Sequence, residues 1–183
     1  MRWIPSTGRS SESDRVLNVE LASEADLPLI KEDMQEAFQT GAVEGLGGFD
    51  GQVLPESDID KSLGEKGCLV YKAVLDGDTV GGAIIVIDTE KHSGDLHFLY
   101  VKNGMQGKKI GQTLWKTIES YHPEIDVWTT CTPYFDKRNI HFYINVCGFH
   151  ATEFFSEYHR DPNFPKDEED FGGMFGFEKI IRQ

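Results

Sequence analysis

The sequence predicts an α/β fold in which a mixed sheet carries helices on both of its faces. Short runs rich in β-branched and aromatic residues alternate with stretches whose apolar residues recur at helical spacing. Glycine, proline and aspartate separate these runs, and strands interleaved with helices are typical of a layered α/β domain. We find no internal repeat. We therefore expect a single domain at residues 15–183, preceded by a flexible tail at residues 1–14.

The N-terminal half predicts two helices and three strands. A helix is expected after the capping residue Ser23, because Ile30, Met34 and Phe38 then recur at helical spacing. A tight turn at residues 76–78 joins two β-rich runs into a hairpin. The elements expected in order are a strand at 16–21, the first helix, a flexible glycine-rich loop at 41–51, a helix at Glu56–Leu63, and strands at Cys68–Leu75 and 79–87.

The C-terminal half predicts four strands and two more helices. Ile110, Leu114 and Ile118 fall on one helical stripe together with Trp115, and a His-Pro pair ends that helix. The elements expected in order are a strand at 95–101, a helix at Ile110–Tyr121, a strand at 125–132, a helix at 137–146, and strands at 148–158 and 176–181.

The charge and the hydropathy pattern restrict the classes of function. Asp and Glu number 31 against 18 Lys and Arg, and the formal net charge of −13 disfavours nucleic acid as a partner. The same charge suits cationic substrates such as amines, or serves only solubility. No apolar run is long enough to span a bilayer and no signal-peptide pattern is present. We therefore expect a cytoplasmic protein without a membrane partner.

The spacing of cysteines and histidines predicts neither disulfides nor a metal site. Cys68, Cys131 and Cys147 are far apart and form no C-x-x-C pair, which favours free thiols. The six histidines are scattered and lack the spacing with glutamate that zinc hydrolases use. Metal-dependent chemistry is therefore not expected.

The strongest functional signal lies in the loop before the helix at Ile110–Tyr121. Lys108 and Lys109 follow Gly107 there and, with Lys102, form a basic island in an acidic chain. A strand that runs through such a loop into a helix presents unpaired backbone N–H groups at the positive end of the helix dipole, and such places bind phosphate. The glycine spacing matches neither the P-loop nor the dinucleotide fingerprint. Taken alone, the segment is equally compatible with a tight turn that binds nothing.

The same loop resembles the main motif of the GNAT acetyltransferase family, Q/R-x-x-G-x-G/A, which lies between the family's fourth strand and the next helix. Gln106, Lys109 and Gly111 occupy the three marked positions, so a lysine replaces the middle glycine. The apolar strand that precedes the loop ends in Val101, as it does in the family.

A second segment, residues 139–149, is similar to the family's asparagine, tyrosine and Gly-Phe motif on the last helix. The family's tyrosine lies four residues before the glycine, whereas Tyr143 lies five residues before Gly148 and Ile144 takes the usual position. A helix irregularity would restore Tyr143 to the family's place. Otherwise Tyr143 serves packing only.

The resemblance implies a GNAT-like, mostly antiparallel central sheet and acetyl-CoA as cosubstrate. It further implies a V-shaped opening between the fourth and fifth strands, where the pantetheine arm lies and from which the pyrophosphate reaches the loop. Asn139 would bond the pantetheine arm or would instead cap its helix. The residues that the resemblance assigns to the cofactor are Leu99, Tyr100, Val101, Gln106, Gly107, Lys108, Lys109, Ile110, Gly111, Gln112, Asn139 and Tyr143.

The implied reaction is direct attack of a primary amine on the thioester, which requires a base and an acid. On a regular strand Asp95, His97 and Leu99 share one face, and residues 96, 98 and 100 share the other. Asp95 and His97 are the candidate bases, because similar positions hold a carboxylate base in some family members and histidine titrates near neutral pH. The alternative for His97 is a half-buried strand histidine whose ring is hydrogen-bonded. Tyr143 is the candidate acid, because a phenol can protonate a thiolate.

The function predicted from the sequence is therefore acetyl transfer from acetyl-CoA to a primary amine. The acidic loops at residues 41–51 and 160–170 suit a cationic acceptor, or are merely solvated surface. A degenerate acyl-CoA sensor or interaction module is the main alternative, and an acidic partner-binding domain without a cofactor is a third. We expect a homodimer, the commonest soluble assembly.

Overall fold

The computed structural model describes residues 16–161 and 173–181. The tail predicted at residues 1–14 and most of the acidic loop at 160–170 lie outside the described residues. The elements in chain order are β1 (Asn18–Leu21), a 3₁₀ turn (Glu24–Asp26), α1 (Leu27–Leu46), α2 (Glu56–Leu63), β2 (Cys68–Leu75), β3 (Asp78–Asp88), β4 (Ser93–Val101), α3 (Ile110–Tyr121), β5 (Val127–Pro133), α4 (Lys137–His141), a π-helical segment (Phe142–Cys147), β6 (His150–Phe155) and β7 (Met174–Ile180).

The strands form one seven-stranded sheet in the order β1-β2-β3-β4-β5-β7-β6. Every neighbouring pair is antiparallel except β4 and β5, which are parallel. The mixed, mostly antiparallel α/β fold predicted from the sequence is therefore confirmed. The bounds of β2, α2 and α3 are those predicted, and the other strands differ by a few residues at their ends.

Helices cover both faces of the sheet, as the sequence predicts. Ile30 and Met34 of α1 pack with Ile59 of α2 against β3 and β4 on one face. On the other face the apolar stripe of α3 is buried, and the ring of Trp115 packs edge-on against Trp128 of β5 with centroids 5.1 Å apart. Two apolar clusters therefore hold β4 between α1 and α3.

Helix α1 continues through most of the region predicted to be a glycine-rich loop. It ends only at Leu46, where Gly47 takes a left-handed conformation with φ of 72°. Inside the helix Ala42 is buried, and a Cβ at Gly45 would lie 3.0 Å from the ring of Phe135. Tertiary packing that needs small residues at this contact outweighs the low helix propensity of glycine. The predicted flexible loop at 41–51 is wrong for residues 41–46, which belong to α1.

A β-bulge in β4 changes which residues share a face. Ile84 of β3 pairs with Phe98 and Ile85 pairs with Leu96, so His97 is the extra residue of the bulge. Asp95 and His97 remain on one side, as predicted. The prediction that Leu99 accompanies them is wrong.

The apolar clusters show which face of the sheet the other β4 residues occupy. Leu99 packs with Leu96 in the cluster under α3, whereas Phe98 and Tyr100 pack under α1. The extra residue at His97 reverses the alternation for the rest of the strand.

Candidate functional site

The opening at the centre of the sheet begins where β4 and β5 stop pairing. The two strands pair only as far as Leu96 and Thr130, although both continue beyond that point. At this last pair Thr130 Oγ1 donates a hydrogen bond to the carbonyl oxygen of Leu96, over 2.8 Å. Residues 97–101 therefore have β3 on one side and no strand on the other. Such a free strand edge offers backbone donors and acceptors to a ligand.

The loop at residues 102–109 leads from this opening to the N terminus of α3. Gly104 and Gly107 have positive φ angles of 80° and 79°. Lys109, the helix-capping residue, is also left-handed, with φ of 61°. The lysine thus supplies the backbone geometry that glycine normally supplies, which costs roughly 1–2 kcal/mol for a residue with a Cβ. The departure from the family motif therefore leaves the glycine-type backbone geometry in place at this position.

Unpaired backbone donors gather at the end of this loop. The first intrahelical bond of α3 runs from the Thr113 N–H to the Lys109 carbonyl, over 2.9 Å. The N–H groups of residues 110–112 precede it and have no intrahelical acceptor, and Lys109 makes no side-chain cap. These donors and the exposed side chains of Lys108 and Lys109 can receive an anion at the positive end of the helix dipole.

The side chain of Gln106 holds the loop from within. Its Oε1 accepts a hydrogen bond from the Gly104 N–H at 2.9 Å, and its Nε2 lies 3.3 Å from Asn103 Oδ1. Nε2 also lies 3.4 Å from the carbonyl oxygen of Val101. Gln106 therefore stabilises the turn. Any contribution of its side chain to anion binding is indirect, because it positions the backbone of the loop.

Helix α1 anchors the start of the loop. Lys102 Nζ lies 3.2 Å from the carboxylate of Asp33, which is only 5% exposed. Asn103 Nδ2 donates to Glu36 Oε1 at 3.1 Å and to Thr40 Oγ1 at 3.0 Å. Lys102, whose side chain is 41% exposed, is thus paired with a buried carboxylate, whereas the other two lysines of the predicted basic island are exposed residues.

The helix irregularity that would restore Tyr143 is present. The predicted helix at 137–146 changes after His141 into a π-helical segment, which accommodates one extra residue. Tyr143 is 4% exposed and faces the core, while Ile144 is 39% exposed and faces solvent. The π segment therefore turns Tyr143, and not Ile144, toward the sheet.

Tyr143 lies beside the point where the strands separate. The side chain of Thr130, whose hydroxyl bonds the Leu96 carbonyl, lies close enough to the Tyr143 hydroxyl to influence its pKa. Its ring packs against Phe149 and Phe177 with centroids 5.8 and 5.7 Å away. Burial raises the pKa of the phenol far above its usual value, so that Tyr143 keeps its proton at neutral pH.

Asp95 and His97 form a polar cluster on the α2 side of β4. His97 Nε2 lies 3.4 Å from Asp95 Oδ2, and His97 Nδ1 lies 2.8 Å from Ser62 Oγ of α2. Burial opposes protonation of the ring, but the hydrogen bond and charge of Asp95, together with the charge of Glu65, outweigh it and raise the pKa of His97. Ser62 was not foreseen in the sequence.

Asn139 does not cap α4. Asp136 does so, because its Oδ1 accepts a hydrogen bond from the Asn139 N–H at 2.9 Å. The capping alternative for Asn139 is therefore wrong, and its side-chain amide has no hydrogen-bond partner among residues 16–161 and 173–181.

Cys131 lies near the open side of β5, close to Asp95. Burial raises its pKa to about 12, and the charges of Asp95 and Asp161 act in the same direction. A thiol that holds its proton this firmly is a poor nucleophile.

Two features are absent from the described residues. In residues 16–161 and 173–181 no group of three or more His, Cys, Asp or Glu side chains is arranged to hold a metal ion. Within the same ranges no helix combines the length and the apolar character that crossing a membrane would require.

The chain is similar to known proteins over most of its length. The family described as "Acetyltransferase (GNAT) family" matches residues 30–149. A protein of Bacillus subtilis (strain 168), named "Uncharacterized protein YrkN", is 37% identical over 176 residues, which cover 90% of this chain and 94% of that protein.

Solved structures share the fold at low sequence identity. The ribosomal-protein-S18-alanine N-acetyltransferase from Escherichia coli matches with a TM-score of 0.69 and 13% identity, over 92% of this chain and 96% of that one. A GNAT family acetyltransferase from Elizabethkingia anophelis with acetyl-CoA bound matches with a TM-score of 0.66 and 13% identity, over 90% and 98%. At this level of identity the likeness establishes the architecture around the opening in the sheet.

Proposed function

Because the chain belongs to the GNAT family of acetyltransferases, we propose that it is an acetyl-CoA-dependent N-acetyltransferase that acts on a primary, cationic amine. The observation that carries the proposal is the free edge of β4 running directly into the loop with unpaired N–H groups. Structural relatives of this fold bind acetyl-CoA, as the protein from Elizabethkingia anophelis does. We also expect a single domain, a homodimer and a cytoplasmic location.

The pantetheine arm of acetyl-CoA fits the free edge of β4. Its two amide groups can pair with backbone groups of Leu99, Tyr100 and Val101 as an added strand would. The unpaired amide of Asn139 is a candidate for a further hydrogen bond to this arm. The Leu96 carbonyl, already bonded to Thr130, marks the closed end of the opening.

The pyrophosphate fits the loop and the start of α3. Backbone N–H groups between Gln106 and Gln112 supply donors without the cost of desolvating charged side chains. Gly107 has open space where a Cβ would be, so the backbone can approach an anion closely there. Lys108 and Lys109 add positive charge from the solvent side.

We assign the acid and the base to groups on the two sides of the opening. An ammonium substrate must lose a proton before its nitrogen can attack the thioester, and the pair of Asp95 and His97 is the candidate acceptor of that proton. The CoA thiolate leaves when the tetrahedral intermediate collapses, and the protonated phenol of Tyr143 is the candidate donor to it. The phenol regains its proton from the nitrogen of the intermediate, so the reaction releases one proton overall.

Two features support turnover over a cofactor-binding module without catalysis. That alternative was favoured by the lysine at position 109 and by the displaced tyrosine. Lys109 nevertheless adopts the left-handed backbone of a glycine, and the π segment turns Tyr143 toward the sheet. Both departures from the family motif are compensated in the fold.

Calorimetric titration with acetyl-CoA, followed by thiol release against polyamines, aminoglycosides and amino acids, tests the proposal. We expect binding and, with one class of amine, turnover. Tyr143→Phe should bind acetyl-CoA as the wild type does and lose most of its turnover. Gly107→Val is the matched loop variant and should lose binding. Binding without turnover would favour the sensor, and absence of binding would refute the proposal.

A further inference from the structure

We infer that Asp95 is the group that takes the proton from the amine, and that Ser62 and His97 are positioning residues that hold its carboxylate from behind. The inference rests on the proposed function, since it divides the roles within the same site. It adds Ser62 of α2, which no family motif marks. It also replaces two alternatives for the base with an order along a chain of polar contacts from Ser62 through His97 to Asp95.

Both nitrogens of the His97 ring are already occupied. Nδ1 lies 2.8 Å from Ser62 Oγ, and Nε2 lies 3.4 Å from Asp95 Oδ2. An imidazole has only these two nitrogens to donate or accept with. The side chain of His97 is also only 17% exposed. A substrate amine would have to displace one of these partners to reach the ring.

Asp95 stands in front of the ring and faces the solvent. Its side chain is 49% exposed. Oδ2 is directed to His97, while Oδ1 has no hydrogen-bond partner in residues 16–161 and 173–181. Its neighbour across the parallel ladder is Thr129 of β5, and the strands separate one residue further on. One carboxylate oxygen is thus oriented by the ring and the other is free to meet a substrate near the opening.

Ser62 is suited to hold the ring in either of its protonation states. A hydroxyl can donate to Nδ1 of a neutral ring and can accept from the Nδ1–H of an imidazolium. The residue is 5% exposed, and Ile59, one turn earlier in α2, is fully buried in the cluster under α1. The hydroxyl is therefore presented from a rigid, packed helix.

Two carboxylates face His97, one from β4 and one from the segment after α2. Asp95 lies on β4, and Glu65, after α2, places its Oε1 3.9 Å from Nδ1. The ring edge of Phe98 packs against the imidazole at 6.3 Å. On β5 the protonated thiol of Cys131 lies near Asp95. The ring is thus surrounded by carboxylates and an uncharged neighbour, which favour the imidazolium form next to Asp95.

The transfer of a proton from the substrate ammonium to Asp95 requires no further protein group. The N–H bond of the substrate ammonium breaks as the O–H bond to Asp95 Oδ1 forms. The lone pair left on nitrogen attacks the thioester carbonyl carbon. Because Asp95 is half exposed, its carboxyl group returns the proton to water after the transfer.

The roles are separated by comparing Asp95→Asn, His97→Gln and Ser62→Ala, with Ser62→Thr as the conservative control. We expect Asp95→Asn to lower kcat by a factor of about 10² to 10⁴ while acetyl-CoA affinity is kept. His97→Gln and Ser62→Ala should each lower kcat by a factor of about 10 and alter its pH profile, and Ser62→Thr should restore both. A loss in His97→Gln as large as that in Asp95→Asn, or full activity of Asp95→Asn, would overturn the assignment.

The positioning role of Ser62 is also tested by a measurement that does not depend on turnover, the titration of the His97 ring. In the wild type labelled with ¹⁵N-histidine, the His97 ring should titrate above its ordinary pKa. In Ser62→Ala, with an unchanged melting temperature, we expect this pKa to fall, because the imidazolium loses its Nδ1–H acceptor. An unchanged titration would refute the role of Ser62. If the titration shifts but no amine is ever acetylated, the positioning stands and it is the proposed function, with Asp95 as its base, that fails.

Discussion

Lys109 shows that a residue can depart from a motif and keep the geometry the motif encodes. Its φ of 61° lies in the region that glycine occupies freely and other residues occupy at a cost. We predict that Lys109→Gly raises the free energy of unfolding by about 1 kcal/mol relative to Lys109→Ala, measured by urea denaturation. Both variants lose the same charge, so the comparison isolates the backbone. Equal stability of the two would show that the left-handed conformation is not populated in solution.

Tyr100 carries a polar atom that the fold leaves without a partner. Its hydroxyl is buried under α1 and has no hydrogen-bond partner in the described part of the chain, whereas the hydroxyl of Tyr71 lies 2.8 Å from His122 Nε2. We predict that Tyr100→Phe leaves the free energy of unfolding unchanged or raises it by about 1 kcal/mol, because desolvating an unpaired hydroxyl is unfavourable. Tyr71→Phe, the matched variant, should lower it by about 1 kcal/mol. A loss of equal size in both would contradict the prediction.

The site residues that the sequence missed are those that act across long separations in the chain. Gln106 and its neighbours belong to one local motif, and Tyr143 belongs to another, so both could be proposed from spacing. Ser62 reaches His97 across 35 positions, and Thr130 reaches the Leu96 carbonyl across 34. No local pattern marks either hydroxyl, because their role exists only after α2 and β5 have packed beside β4.

The π-helical segment is explained by one extra residue, and this explanation can be tested by deleting a residue. It contains one residue more than a regular helix would need between Tyr143 and Gly148, and Ile144 is the exposed position. We predict that deleting Ile144 leaves the free energy of unfolding within about 1 kcal/mol of the wild type and preserves acetyl-CoA binding. The deletion returns the tyrosine to four residues before the glycine and restores regular helical bonding.

A matched deletion within α3 provides the control for this prediction. Removing Thr117 from a regular helix should rotate the residues on one side of it by about 100°, which turns part of the buried stripe to solvent and unfolds the domain. Thermal melting and calorimetry with acetyl-CoA distinguish the two outcomes. If deletion of Ile144 is as damaging as deletion of Thr117, the π segment is required by packing and does not merely absorb an extra residue.

Helix α1 and strand β4 differ from their predictions because of contacts with other parts of the molecule. The glycines of α1 signal a loop, yet Gly45 fits against the ring of Phe135, and only the packed molecule contains that contact. No glycine stands at the bulge itself, since the glycine of β4 is Gly94, and the bulge at His97 arises from the register with β3. Periodicity therefore predicted which segments are helices and strands, and it did not predict where their regularity is interrupted.

At the scale of the whole molecule, the order of elements was enough to predict the architecture, because each helical stripe and each β-rich run has only one layered arrangement that buries it. The acceptor is not encoded in the same way. The net negative charge of the chain suits a cationic acceptor in general, and the fold hosts many acceptors. Net charge is a property of the whole chain. Its effect on the association of acetyl-CoA can be measured separately from the effect of Lys108 and Lys109.

In the proposed function, acetyl-CoA is a polyanion that must approach a protein with a formal net charge of −13 to reach Lys108 and Lys109. At long range the protein repels it, and at contact the loop attracts it. Raising NaCl from about 20 mM to about 200 mM shortens the screening length to less than about 10 Å, which removes the long-range repulsion first. We therefore predict that the association rate constant, measured by stopped flow, rises over this range. Replacing both lysines with glutamine should speed dissociation and leave the sign of the salt effect unchanged. A rate that falls with salt would mean that the two lysines, rather than the net charge, govern the approach of the cofactor.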